Sequence, residues 1–223
     1  MGSDNLFHKR KQRGIASLKR KKASRAPYDR VLIVCEGSKT EPNYFKEIRD
    51  AYRLHSTNIE ICGEECGSDP LSVIKYAISR FKQDPDYDRV YCVIDRDRHA
   101  NFDDAIDKLL QNSRRKGIIF SPIISVPCFE FWLLLHFYYT THQFSSPVGS
   151  SDCALVISEL TKNGLIPSYS KEARDIFSLT KHLLPQAIKN AKQLQRYNQT
   201  TGTNNPATNM HELIQYLIAL VPP

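Results

Sequence analysis

Long hydrophobic runs are missing from this sequence. The longest, Phe129–Tyr139, carries Glu130 and His136 within it and falls well short of the ~20 apolar residues that a membrane span needs. It reads as a buried helix, with His136 a core histidine. No apolar core follows the basic N-terminus, which predicts no signal peptide. No P-loop is present, which excludes nucleotide hydrolysis of that kind. Cys62 and Cys66 lack a second ligand pair at zinc spacing, which excludes a zinc site there. The C-terminal half shows no internal repeat. Only one Trp occurs in 223 residues, and 41% of the chain is apolar, the composition of an ordinary globular protein with one core or two small ones.

What the chain has in excess is confined to one end. Ten of the 31 basic residues but only two of the 24 acidic ones lie in residues 1–30. The remainder, 21 basic against 22 acidic, is nearly neutral. Residues 1–27 hold KRKQR and KRKK with little apolar content, so this arm cannot fold alone. Lys9, Arg10, Lys11, Arg13, Lys19, Arg20, Lys21 and Lys22 are its candidate phosphate-gripping residues, supplying salt-dependent affinity for nucleic acid. Six Cys are present, three within or beside apolar runs, as expected of buried free thiols in a cytoplasmic protein.

Two short β-branched runs organise the rest. Val31–Val34 stops at Glu36, and Val90–Ile94 stops at Asp95 and Asp97. Ligands of open α/β sheets bind outside the carboxyl ends of the strands. If the two strands are parallel neighbours, three carboxylates meet at one sheet edge, where a bound Mg²⁺ would relieve their repulsion. Asp95 and Asp97, two apart on an extended chain, point to one side, which suits a hard cation.

Periodicity fills in the frame. Helices are expected at Glu41–Leu54, with Thr40 as N-cap, at Leu71–Phe81 and at Phe102–Arg115. Strands are expected at Thr57–Cys62 and Gly117–Ser125, and a very apolar helix at Cys128–Tyr139 with Glu130 near its start. Strand–helix alternation implies an α/β fold with a mostly parallel, doubly wound sheet over residues 28–140. Beyond Thr140 no strand is expected. Helices at Asp152–Lys162, Lys171–His182, Leu184–Tyr197 and Ala207–Leu220 would form a C-terminal cap over residues 141–223.

Glu-Gly after a first strand and Asp-x-Asp after a later one resemble the Toprim domain of topoisomerases, primases and metal-dependent nucleases. VCEGSKTEPNYF (Val34–Phe45), VIDRD (Val93–Asp97) and SVPCFEFWLLLHF (Ser125–Phe137), in that order, resemble the RloB-like family of small bacterial Toprim proteins. That resemblance implies a Mg²⁺- or Mn²⁺-dependent nuclease in bacterial anti-phage defence, acting on DNA or RNA and controlled by a partner ATPase of AAA or ABC type. It implies that Glu36 is either a metal ligand or the general acid/base nearest the scissile phosphate. Glu41, Asp95 and Asp97 would be metal ligands, Glu130 a further active-site acid, and Lys39 a group that meets phosphate or the leaving oxygen. Arg96, Arg98 and His99 lie among them as solvated charges or phosphate contacts. The rival reading is a non-catalytic nucleotide- or nucleic-acid-binding module, or an adaptor of the ATPase. Oligomeric state stays open.

Overall fold

The computed structural model describes residues 29–96, 101–116, 119–147, 150–162 and 164–221. The eight basic residues of the arm, together with Asp97, Arg98 and His99, lie outside the described residues.

Strand β1 (Val31–Cys35) is buried along its whole length, which is why it reads as a continuous apolar run rather than an alternating one. Val31, Ile33 and Cys35 join the core on one face of the sheet, and Leu32 and Val34 join the core on the other. Helix α1 (Thr40–Ala51) covers the first face with Tyr44, Phe45 and Ile48. Strand β2 (Ile59–Cys62) follows, and then helix α2 (Pro70–Gln83) on the opposite face with Val73, Ile74 and Ala77. Strand β3 (Arg89–Asp95) and helix α3 (Phe102–Lys116) repeat that unit, and strand β4 (Ile119–Val126) ends the parallel run. The sheet is therefore covered on both faces, as βαβ crossovers require.

The sheet order is β2-β1-β3-β4-β5, with β1 to β4 parallel. Strand β5 (Ala207–Thr208) pairs antiparallel with β4 through Ser125–Thr208 and Val126–Ala207. This strand corrects the expectation of a purely helical second half. Periodicity cannot show two residues, and their pairing is secured by the side chain of the next residue. Asn209 accepts from the Ile124 N–H at 2.7 Å and donates to the Pro122 carbonyl at 3.1 Å. The last helix starts after this strand, at Met210 rather than Ala207.

The other helices are α4 (Glu130–Leu134), α5 (Asp152–Lys162), α6 (Ile176–Thr180), α7 (Leu184–Thr201) and α8 (Met210–Ala219). Two are shorter than their periodicity suggested. The Cys128–Tyr139 stretch is helical over only five residues, and Lys171–Asp175 is turn rather than helix. In both places the residues serve tertiary contacts instead. Thr40 also departs from expectation: it is the first helical residue, and its hydroxyl donates to the Lys171 carbonyl at 2.6 Å. Leu184, Ala187, Met210 and Leu213 from the second half share one core with Val31, Ile33 and Tyr44.

Trp132 is fully buried in this core, and its indole N–H donates to the Tyr44 hydroxyl at 2.9 Å. Tyr44→Phe keeps the ring and strands that donor, so urea unfolding should show a loss of about 1–3 kcal/mol. Tyr52→Phe, at a half-buried ring beside the same core, should change stability by less than about 0.5 kcal/mol.

Candidate active site

Acidic side chains converge where β1 and β3 end. Glu36 lies one residue past β1, and its N–H donates to the Val93 carbonyl at 3.0 Å, continuing the ladder. Its carboxylate in turn accepts the Asp95 backbone N–H at 3.0 Å. The ends of the two strands are thereby locked together, and the two acids hold fixed positions. Glu41 arrives in the first turn of α1 and Glu130 at the first residue of α4.

A cleft of about 650 Å³ takes its lining from Glu36, Glu41, Asp95 and Glu130, with Lys39 and Lys171 at its side. The sequence-predicted acids thus share one cavity, apart from Asp97. Close approach is built into the backbone. A Cβ placed on Gly37 would lie 1.9 Å from Glu41 Oε2, so any larger residue there would displace that carboxylate.

The charges are arranged unequally. Burial, with the neighbouring Glu130 and Glu36, pushes the Glu41 carboxyl up from 4.5 to about 7. Burial and the same three acids raise Asp95 well above the usual carboxylate range. Glu130 is buried too, which alone would raise it, yet its carboxyl ends below its ordinary value. Lys171 stands 3.6 Å from Oε1, and the Tyr169 hydroxyl donates to Oε1 at 2.8 Å and the Cys153 thiol to Oε2 at 3.1 Å. One acid is therefore held as an anion, and two resist ionisation until something positive enters.

Lys39 points elsewhere than the acids. It pairs with Glu172 at the cleft mouth, an exposed contact. His136, in contrast, is wholly buried, with Nδ1 3.1 Å from the Trp132 carbonyl oxygen, and burial lowers its pKa to about 4. It is a core histidine, as its apolar surroundings implied.

Three residues of this site escaped sequence reasoning. Tyr169 and Lys171 come from an aperiodic turn with no local signal, and Cys153 comes from an amphipathic helix. Cys128, two residues before Glu130, was the available clue. Cys128, Glu130 and Cys153 offer ligand atoms that lie within 4.8 Å of one another, so this group can hold a metal ion. All six cysteines are free, and five are buried. Glu36, Glu41 and Asp95 share the cleft, but they form no comparably tight triad among the described residues.

A family model described as RloB-like protein matches residues 31–217. The chain belongs to the RloB-like family. In this RloB-like chain the matched span takes in all five strands and every acid of the cleft. No curated protein and no solved structure matches it.

The raised carboxyls make stability depend on pH with a definite sign. Between pH 4.5 and about 7 the folded chain keeps a proton on Glu41 that the unfolded chain has lost. The metal-free protein therefore loses stability as pH rises through that window, and Asp95 adds to the same slope. Glu130 has the opposite sign: its stabilising contribution is complete above the usual carboxylate range and is lost only below it. Thermal melts in EDTA should fall by several degrees between pH 5 and pH 7.5, and Glu41→Gln should flatten the slope. An unchanged slope in Glu41→Gln would show that Glu41 titrates normally.

Proposed function

We propose that this protein is a Toprim-type nuclease that hydrolyses nucleic-acid phosphodiesters with Mg²⁺ or Mn²⁺, serving bacterial anti-phage defence under the control of a partner ATPase. The observation that carries the catalytic reading is the single cleft that Glu36, Glu41, Asp95 and Glu130 share at the carboxyl edge of a parallel sheet. Membership of the RloB-like family supports the defence role and the ATPase only as an implication of that resemblance.

The donor set fits a hard divalent cation. All of the offered groups are carboxylate oxygens, and Glu41 and Asp95 are neutral-leaning acids that a cation would ionise. Glu36, Glu41 and Asp95 would hold it, with Asp97 outside the described residues as a further ligand. Such an ion would supply an activated water and neutralise charge on the leaving oxygen.

The chain's own groups do the rest. Two cations, Lys39 and Lys171, flank a cleft whose acids offset their charge, so the metal-free cleft attracts a phosphodiester only weakly. Binding of the polyanion is thereby coupled to binding of the metal. Glu130, kept ionised by Lys171, would add a fixed negative charge at the side of the cleft. Lys39 is engaged by an exposed ion pair that solvent screens, so it can leave Glu172 for a phosphate oxygen at small cost. The basic residues from Lys9 to Lys22 would add affinity that weakens with salt.

The test is cleavage of supercoiled plasmid and of total tRNA with Mg²⁺, Mn²⁺ or EDTA, alone and with the genomically neighbouring ATPase and ATP. Metal-dependent cleavage is expected, reduced about a hundredfold or more in Glu36→Ala/Asp95→Ala. Absence of cleavage under every condition, or equal cleavage by the double variant, would sink the proposal. Gly37→Ala forces the Glu41 carboxylate to move and should lower the rate by up to about a hundredfold in a folded protein. Circular dichroism checks the fold.

A further inference from the structure

The hard-acid cleft leaves one group of side chains unexplained. Cys128 sits between β4 and α4, and Cys153 lies in the first turn of α5. Their sulfurs and one Glu130 oxygen come within 4.8 Å of one another. Neither cysteine belongs to the phosphodiesterase machinery proposed above. Thiols can fill a core as small apolar groups, but Cys153 hydrogen-bonds an acid held as an anion and Cys128 lies within 4.8 Å of both.

We propose that Cys128, Glu130 and Cys153 form a second metal site, selective for a borderline-soft divalent ion such as Zn²⁺ and distinct from the carboxylate site for Mg²⁺. Tetrahedral Zn²⁺ holds its sulfur ligands about 3.8 Å apart, so the cluster needs only small side-chain movements to close on the ion. Mixed thiolate and carboxylate donors favour Zn²⁺ over Mg²⁺, which takes oxygen.

The surroundings suit such a site. A second cavity of about 260 Å³ is lined by Asp95, Cys128, Asp152, Cys153 and Lys171. Asp95 lines this cavity as well as the larger cleft but lies outside the tight ligand group, so water would fill the remaining coordination position. Tyr169 donates to Oε1 of Glu130 and leaves Oε2 turned toward Cys153, which is how an outer partner orients a metal-bound carboxylate. Two thiolates, one carboxylate and Zn²⁺ carry a net single negative charge, and Lys171 at 3.6 Å from Glu130 balances it. On binding, both thiol protons pass to solvent and two sulfur–metal bonds form, with no oxidant or reductant involved. The ion would tie α5 to the end of β4, beside Asp95.

Co²⁺ titration of the reduced full-length protein, without nucleic acid, tests this. Tetrahedral thiolate coordination gives an intense sulfur-to-cobalt charge-transfer band, which added Zn²⁺ should erase and a large excess of Mg²⁺ should leave intact. Cys128→Ser and Cys153→Ser should each weaken binding at least about tenfold, and Tyr169→Phe should do so by about tenfold. Cys62→Ser/Cys66→Ser should bind like the wild type. Circular dichroism confirms that each variant folds, and Cys153→Ala provides a second probe at a half-buried position. No charge-transfer band in the wild type overturns the site, as does full binding by folded Cys153→Ala or displacement by Mg²⁺. Because the readout needs no cleavage, it stands or falls apart from the nuclease assay.

Discussion

Several carboxylates crowded at the end of two parallel strands are the constraint on which the rest of this structure depends. Burial and mutual repulsion oppose their ionisation, so the fold must either keep protons on them or supply positive charge. Glu41 and Asp95 illustrate the first solution, with carboxyls raised by burial and by neighbouring acids. Glu130 illustrates the second, an anion held by Lys171, Tyr169 and Cys153. A fold that only needed stability would place apolar residues at these positions. The cost is tolerable because β1 is buried throughout and both faces of the sheet are covered.

The same constraint explains several local oddities. Gly37 is glycine because the Glu41 carboxylate occupies the space of its side chain. Thr40 bonds the Lys171 carbonyl rather than capping its own helix, and so draws the 169–171 turn over the cleft. Tyr169 and Lys171 of that turn engage Glu130. Helix α4 is short where the sequence is apolar enough for a longer one. The residues after it continue into the core, where Asn190 donates to the Leu135 carbonyl at 2.8 Å.

Two kinds of donor meet at this edge. Oxygen-only groups lie in the larger cleft, and sulfur with oxygen lies in the smaller cavity, with Asp95 facing both. Metal preference follows donor softness, so the two cavities need not compete for one ion. Asp95 is also the residue whose backbone N–H is held by Glu36.

The sequence alone determined the frame. β-branched runs ending in acid, alternating with amphipathic helices, marked the parallel sheet and placed Glu36 and Asp95 at its edge, because strand period and strand ends are local properties. Glu130 was legible for the same reason, as the start of an apolar helix after a strand. Tertiary structure decided what chain-distant residues bring. Lys171 and Tyr169 reach Glu130 from 41 and 39 positions away, and Cys153 does so from 23, with no periodicity to announce them. β5 was invisible because two residues carry no pattern, and its partner β4 and the Asn209 side chain hold it in place. Local sequence sets which backbone forms, whereas ionisation and ligand grouping depend on neighbours that only the folded chain brings together.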